Sequence, residues 1–174
     1  MPTSYQAPTA AQDEKDRTFS QSVDSNLKGV GSNMTVSTIL ADKDGTLHSA
    51  VRSDRVSDVV KRLHALRIGV LVVMESDRLV GIVSERDIVS RLGEVGASAL
   101  DLTVGDLMTP DPVTCHPDDA LLRTLRVMTE GKFRHLPVVR DGKLLDMISL
   151  GDVVKYRLRE LEYEALRMKQ MIVG

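Results

Sequence analysis

The chain has 174 residues, 42% of them hydrophobic, which is enough for one compact domain or for two small repeats that share a core. Its 23 basic and 25 acidic side chains give a formal net charge of −2, so it lacks the broad positive field that nucleic acids and anionic membranes require. It has one cysteine and no apolar run near the roughly 18 residues that cross a bilayer. We therefore expect a cytoplasmic protein that binds neither nucleic acid nor membrane.

The first 33 residues are rich in Ser, Thr, Gln and Asp and sparse in apolar groups. They show no basic start followed by a hydrophobic stretch, so no signal peptide is predicted. The acidic residues Asp13, Glu14 and Asp16 also argue against a mitochondrial targeting helix. The sequence predicts a flexible tail over residues 1–33.

An internal repeat organises the rest of the chain. The stretch LVGIVSERD, ending at Asp87, aligns with LLDMISLGD, ending at Asp152, at a separation of 65 residues. At the front of each unit, Met34-Thr35-Val36 matches Leu102-Thr103-Val104 at a separation of 68. The predicted organisation is a tail (1–33), repeat one (34–92), a linker (93–101), repeat two (102–158) and a C-terminal helical extension (159–174).

The apolar period within each repeat predicts its elements. In repeat one, Val56 opens a run of apolar residues at helical spacing. Two short runs rich in β-branched residues follow, 70–74 and 79–83, and the matching turn of repeat two contains Asp141-Gly142, a strong hairpin signal. A second helix then opens at Ser84 and at Ser149. The fold class is α/β (α+β): two β-α-β-β-α units packed about a pseudo-two-fold axis, with clefts at their shared interface.

Apolar residues continue at intervals of three or four beyond the second repeat. They are Leu150, Val154, Leu158, Leu161, Ala165, Met168 and Ile172. Such a helix would extend beyond the end of repeat two. It either folds back over the repeats or pairs with a second copy of the chain, and the sequence does not decide between the two.

The strongest site signal is Ser-x-x-Asp directly after an apolar strand, at Ser84 with Asp87 and again at Ser149 with Asp152. The same pattern caps helices, since the serine oxygen can accept a bond from the backbone of the fourth residue. Capping and ligand binding are compatible, because a helix N-terminus presents free N–H groups to a phosphate. A carboxylate can also accept from two vicinal hydroxyls, such as those of a ribose.

The Ser-x-x-Asp pattern after a hairpin, together with RHLPVV from Arg134 to Val139, resembles the CBS domain, and the tandem arrangement resembles a Bateman module. The resemblance covers residues 34–158 and is closest to small stand-alone bacterial proteins that contain a CBS pair and little else. It implies a regulatory module whose Ser and Asp bind the phosphate and ribose of an adenosine ligand. AMP is the favoured ligand, with ATP or NAD(H) as alternatives.

The resemblance implies two unequal sites. The first, centred on Ser149 and Asp152, would hold adenine against Thr35, Val36, Ile68 and Gly69 and phosphate against Arg134 and His135. The second, centred on Ser84 and Asp87, would hold adenine against Thr103, Val104, Phe133 and Arg134, with Arg86 as its local cation. Because Gly69 and Val70 occupy the positions that match Arg134 and His135, we expect the Asp152 site to favour a phosphate-bearing ligand.

Other candidates are weaker. Cys115 and His116 would point to opposite faces of a strand, so a nucleophile–base pair is disfavoured. No metal-ligand spacing is present. We expect no enzymatic activity, a homodimer and a regulated partner protein. The alternatives are a structural or assembly protein that has an empty cleft and acts through its C-terminal helix, and a small nucleotide-processing enzyme.

Overall fold

The computed structural model describes residues 34–173, so the predicted tail over residues 1–33 lies outside the described part of the chain. The helices are α1 (Val36–Ala41), α2 (Val56–Leu66), α3 (Glu85–Val95), α4 (Val104–Leu107), α5 (Leu121–Glu130) and α6 (Leu150–Val173). The strands are β1 (Ser49–Ala50), β2 (Val70–Glu75), β3 (Arg78–Ser84), β4 (Thr109–Pro110), β5 (His135–Arg140) and β6 (Lys143–Ser149). The mixed α+β class and the tandem arrangement are confirmed.

The two hairpins, β2–β3 and β5–β6, repeat one another in detail. Both are antiparallel. Their first turn residues, Ser76 and Asp141, have φ values of 53° and 51°, and Gly142 follows at 74°. These left-handed conformations suit short polar side chains and glycine. The hairpin signal at Asp141-Gly142 therefore marks a real turn, and the matching turn of repeat one shares the left-handed conformation at its first residue, Ser76, but not at its second.

The sheets are less symmetric than the hairpins. Strands β1 to β4 form one sheet in that order, and β5 and β6 form the other. Ala50 pairs with Val73 in parallel, and the equivalent residue Cys115 forms an isolated parallel bridge to Val138. The strand β4, which follows α4, pairs with β3 of repeat one. The start of the second unit therefore completes the sheet of the first.

The front segments of the two units are exchanged between the two cores. The side chain of Val36 in α1 is fully buried with Leu121 and Met128 of repeat two, whereas Val104 in α4 is fully buried with Val56 of repeat one. Backbone bonds follow the same exchange: the N–H of Val36 donates to Asp119 (3.0 Å), and the N–H of Val104 donates to Asp54 (2.9 Å). The core of repeat two is thus closed by α1, from the front of repeat one, and the core of repeat one is closed by α4, from the front of repeat two.

The segment predicted as a linker (93–101) has regular structure. Helix α3 continues to Val95, and a 3₁₀ helix follows over Gly96–Asp101. Ala99 is completely buried, and Leu100 and Leu102 pack against the first core. The connection between the repeats is therefore anchored to repeat one.

Helix α6 has 24 residues and runs without a break into the C-terminal extension. Its packed face consists of Val153, Tyr156 and Glu160, and from Leu161 to Met171 every residue except the half-buried Glu164 is exposed. The helix contacts α1 and α5 over its first half. The structure therefore does not show the whole helix folded back over the repeats, because its second half is not packed against either core.

We predict that Gly81→Ala destabilises the protein, because a Cβ there would lie 2.8 Å from Met108 Sδ and 2.9 Å from the carbonyl oxygen of Thr109. Forcing that contact between β3 and β4 should cost about 1–3 kcal/mol of unfolding free energy, measured by urea denaturation. Gly93→Ala is the control, since a Cβ there meets nothing within 4 Å. Equal stability of the two variants would contradict the close approach.

Candidate functional site

A cavity of about 340 Å³ lies between the two repeats. Its walls come from the end of β3 and the start of α3, from the segment after α4, and from the loop that precedes β5. The lining residues with polar or charged side chains include Ser84, Glu85, Arg86, Asp87, Thr109, Lys132, Arg134 and His135. The volume falls at the lower end of the roughly 300–1,000 Å³ that small-molecule pockets occupy.

Ser84 and Asp87 form a capping box at the start of α3. The N–H and hydroxyl of Ser84 donate to Asp87 Oδ2 (2.7 and 2.6 Å), and the N–H of Asp87 donates to Ser84 Oγ (3.4 Å). Ser149 and Asp152 repeat this arrangement at the start of α6, with distances of 2.8, 2.7 and 3.1 Å. In both boxes Oδ1 of the aspartate takes no part in these bonds.

The same geometry occurs at Thr103 and Asp106, which do not line the cavity. The N–H and hydroxyl of Thr103 donate to Asp106 Oδ2 (2.9 and 2.7 Å), and these bonds lower the pKa of Asp106. Capping alone therefore does not identify a ligand site in this chain. What distinguishes Asp87 is its position on the wall of an inter-repeat cavity.

Three cationic side chains, with His135 beside them, line the same cavity as Asp87. Arg86 belongs to α3, Lys132 and Arg134 to the loop before β5, and His135 to the first position of β5. The guanidinium of Arg86 also donates weakly to the carbonyl oxygen of Lys132, at 3.4 Å. This cluster can bind an anionic group such as a phosphate.

The apolar wall of the cavity includes Ile82, Pro112, Val113 and Phe133. The Phe133 ring lies against Gly131, where a Cβ would approach it to 2.2 Å. An aromatic ring beside aliphatic side chains is a surface on which a planar base can stack. Thr109, Pro112, Val113 and Lys132 were not among the predicted site residues, and the apolar pair Pro112-Val113 between polar residues is the signal that could have revealed them.

The structure brings only some of the predicted residues to this cavity. Ser84, Arg86, Asp87, Phe133, Arg134, His135 and Gly69 line it. Thr103 and Val104 do not, since Thr103 caps α4 and Val104 is fully buried in the first core. Arg134, predicted for both sites, and His135, predicted for the Asp152 site, thus lie on the wall of the cavity that contains Asp87, whereas Ser149 and Asp152 do not line it.

The residues predicted to hold adenine at the Asp152 site are also dispersed. Val36 is fully buried in the second core, and the hydroxyl of Thr35 bonds with that of Ser37 at 2.6 Å. Ile68 and Gly69 line a second pocket, together with His64 and Glu85.

The side chain of His135 lines the cavity that contains Asp87, and its pKa also depends on the charge of Asp152. Burial of its imidazole lowers the pKa of His135 below the ordinary value of 6.5, and the positive charges of Arg134 and Lys43 act in the same direction. Asp152 and Glu85 oppose that shift, and Asp152 is the larger of these two effects. His135 therefore senses the carboxylate of one capping box while its side chain lines the cavity of the other.

Cys115 is unsuited to nucleophilic attack. Its thiol is buried and points at the carbonyl oxygen of Pro137 (3.7 Å), and burial raises the pKa of Cys115 to about 12. His116 instead faces Asp118, with 3.4 Å between Nδ1 and Oδ2. Within residues 34–173 no three or more His, Cys, Asp and Glu side chains are grouped to hold a metal ion, and no helix there is long and apolar enough to span a membrane.

Two α+β units with a capped aspartate after each hairpin, packed around a shared cleft, define a tandem-repeat fold. The CBS domain family model matches residues 46–94 and 104–159, more than half of the chain. The protein belongs to the CBS-domain family and carries two CBS repeats.

Individual relatives agree with this assignment. The chain is 34% identical to the CBS domain-containing protein CBSX3, mitochondrial, of Arabidopsis thaliana, over 80% of this chain and 72% of that protein. The crystal structure of the CBS-domain protein ATU1752 from Agrobacterium tumefaciens superposes with a TM-score of 0.69 at 34% identity, covering 71% of this chain and 99% of that one. CBSX2 in complex with AMP gives a TM-score of 0.61 at 33% identity, covering 72% and 96% of the two chains.

We predict that Asp152→Asn lowers the pKa of His135 below its value in the unmutated protein, because the carboxylate that opposes the effect of burial loses its charge. The pH titration of the His135 ring protons by NMR measures this directly. Asp87→Asn serves as the control, since Asp87 is not among the groups that shift this pKa. An unchanged or higher pKa in Asp152→Asn would show that the two groups are not coupled.

Proposed function

We propose that this protein is a regulatory module that binds an adenine ribonucleotide in the cleft between its CBS repeats and signals occupancy to a partner protein. The observation that carries the proposal is the inter-repeat cavity, which combines a capped aspartate, a cationic cluster and an apolar wall with an aromatic ring. The complex of the similar protein CBSX2 with AMP supports the choice of ligand. The proposed role of the protein includes no catalytic step.

Each part of the ligand has a chemical counterpart in the cavity. The base would stack beside Phe133 and Val113, and the ribose hydroxyls would donate to the carboxylate of Asp87. The phosphate would lie near Arg134 and the first N–H groups of α3, where the helix dipole favours negative charge. A cavity of about 340 Å³ suits a mononucleotide, so AMP is the first choice, and ATP or NAD(H) would extend outside it.

We retain the Asp152 box as a second, related site. The hydrogen-bond distances within this box match those of the Asp87 box to within a few tenths of an ångström. The negative charge of its carboxylate acts to raise the pKa of His135. Arg134 and His135 lie between the two boxes and can serve a phosphate at either one. Whether both sites fill is a question of stoichiometry that titration answers.

The contacts of Met34 and Asp42, which flank α1, would couple the Asp152 box to α1 through α6. The carboxylate of Glu160 accepts from the N–H of Met34 (3.0 Å), and the hydroxyl of Tyr156 donates to Asp42. Arg159 reaches the same Asp42 at 3.7 Å. Helix α6 begins at the Asp152 box, so a shift in that box would move α1 and α6 together. A ligand can bias such a change only through its differential affinity for the two arrangements.

We further propose that the protein is a homodimer. Val89 in α3 and Val154 in α6 occupy equivalent positions in the two repeats and are 66% and 39% exposed. A two-fold arrangement of two chains would cover both faces at once. The exposed second half of α6 favours one alternative function, in which the cleft stays empty and the protein acts as an assembly factor through that helix.

The ribose assignment is tested by Asp87→Ala. If the carboxylate accepts from both ribose hydroxyls, its loss should weaken AMP binding roughly 10- to 100-fold, as expected for bonds to a charged group. The variant should also lose the preference of the unmutated protein for AMP over 2′-deoxy-AMP. Isothermal titration calorimetry with both ligands measures affinity and stoichiometry, and Asp152→Ala tests the second site in the same way.

Asp106→Ala is the matched control for that experiment. It removes a capping interaction of the same geometry outside the cavity, so it should lower stability slightly and leave AMP affinity unchanged. If Asp87→Ala and Asp152→Ala behave like Asp106→Ala, and both still discriminate AMP from its deoxy form, the aspartates are caps only.

The phosphate assignment is tested by Arg134→Gln. Because charge-assisted bonds are roughly twice as strong as neutral ones, this variant should weaken AMP binding about 10-fold and leave adenosine binding nearly unchanged. Arg126→Gln in α5 removes an equal charge away from the cavity lining and is the control. Equal affinity of the unmutated protein for AMP and adenosine would show that the cationic cluster does not bind phosphate.

A further inference from the structure

Helix α6 carries an apolar seam that its own chain leaves uncovered and that continues into its second half. The seam consists of Val154, Leu158, Leu161, Ala165 and Met168, at successive spacings of four, three, four and three residues. Its larger members are 39%, 56%, 44% and 45% exposed, in chain order. This spacing repeats every seven residues and is that of the a and d positions of a coiled coil, with Leu158 and Ala165 at a.

The seam lies on a different face of α6 from the residues that pack on the body. Val153, Tyr156 and Glu160 hold the helix to α1 and α5, and their positions in the seven-residue repeat are c and f. A 24-residue helix is about 36 Å long, and the anchored half supplies the nucleus that an isolated helix of this length would have to form. The exposed half is therefore presented as a preformed helix.

We propose that the α6 helices from two copies of this chain form a parallel two-stranded coiled coil along this seam. The inference rests on the homodimer proposed above and specifies which surface joins the copies and in which direction. It does not depend on the nucleotide site.

The charges that flank the seam select the partner and its direction. In a parallel pair, the residue at g faces the residue five positions later, at e, on the other helix. Glu164 at g would then face Lys169 of the second copy. By symmetry this opposite-charge pair occurs twice. The seam therefore matches itself in parallel register.

An antiparallel pair that sets Leu161 against Ala165 has the opposite electrostatics. The e positions would face one another, which sets Glu162 beside its own copy and Lys155 beside Lys169. Glu164 would likewise face Glu164. Like charges at such positions are destabilising, so the pattern disfavours this antiparallel register.

The direction is tested by disulfide cross-linking of the full chain carrying Met168→Cys. Only a parallel in-register pair brings the two copies of position 168 within the Cα separation of about 4.4–6.8 Å that a disulfide needs. Leu166→Cys is the matched control, because Leu166 is also apolar and 59% exposed but lies off the seam. Cys115 should stay out of the reaction, since its thiol is buried with a pKa of about 12.

Near-complete cross-linking of the Met168→Cys protein, with little for Leu166→Cys, is the expected result. The charge pattern is then tested in the Met168→Cys background by Glu164→Lys. That change should lower the equilibrium extent of cross-linking in a glutathione buffer about 2- to 10-fold, and adding Lys169→Glu should restore it.

Two results would overturn the coiled coil. One is equal cross-linking at positions 166 and 168, and the other is a cross-link that Glu164→Lys does not weaken. Light scattering separates this failure from that of the dimer itself: a two-chain mass without cross-linking leaves the dimer and removes the coiled coil, whereas a one-chain mass removes both. Titration with AMP reports on the nucleotide site independently.

Discussion

The exchange of front segments between the two repeats is the constraint on which the rest of the structure depends. Val36 closes the core of repeat two and Val104 closes that of repeat one, and both side chains are completely buried. Because burying an aliphatic side chain of this size is worth about 1.5–3 kcal/mol, separating the repeats would expose two core positions at once. The relative placement of the units is thereby fixed, and a cavity with walls from both units can keep its shape.

The capped aspartates show how a structural device can also prepare a binding group. In the boxes of Asp87 and Asp152, Oδ2 accepts from the serine at the end of the preceding strand, which holds the carboxylate in one rotamer. A ligand that then bonds to Oδ1 would not have to order the side chain first. The box at Asp106 has the same geometry but, unlike that of Asp87, does not line the inter-repeat cavity, so location and not local geometry separates the two roles.

The parts of the fold that depend on short-range sequence were predictable. The hairpins and the helix starts at Ser84 and Ser149 follow from apolar period, turn residues and capping, all within a few neighbouring positions. The exchange was not predictable, because the match of Met34-Thr35-Val36 with Leu102-Thr103-Val104 is the same whichever core each segment joins. That long-range choice also explains why Val36 and Val104 are buried in cores while Pro112 and Val113 line the cavity.

The helix α6 was predictable in extent but not in orientation. Its seam from Val154 to Met168 was recognised, yet the body takes the neighbouring stripe of Val153, Tyr156 and Glu160 instead. Glu160 illustrates the reason: a carboxylate is a poor core residue by composition, and it is buried here because the N–H of Met34 and the guanidinium of Arg157 satisfy it. Such partners come from tertiary structure, which a helical period does not encode.

The exchange also sets an order for folding during synthesis. As the chain emerges from the ribosome, α1 appears first but has no core to join until Leu121 and Met128 have been made. Repeat one, in turn, stays open until Val104 and Leu107 follow it out of the exit tunnel. A nascent chain that stops before α4 therefore displays an incomplete apolar surface. Until the second half arrives to cover it, this surface leaves the first half of the protein prone to association with other exposed hydrophobic segments.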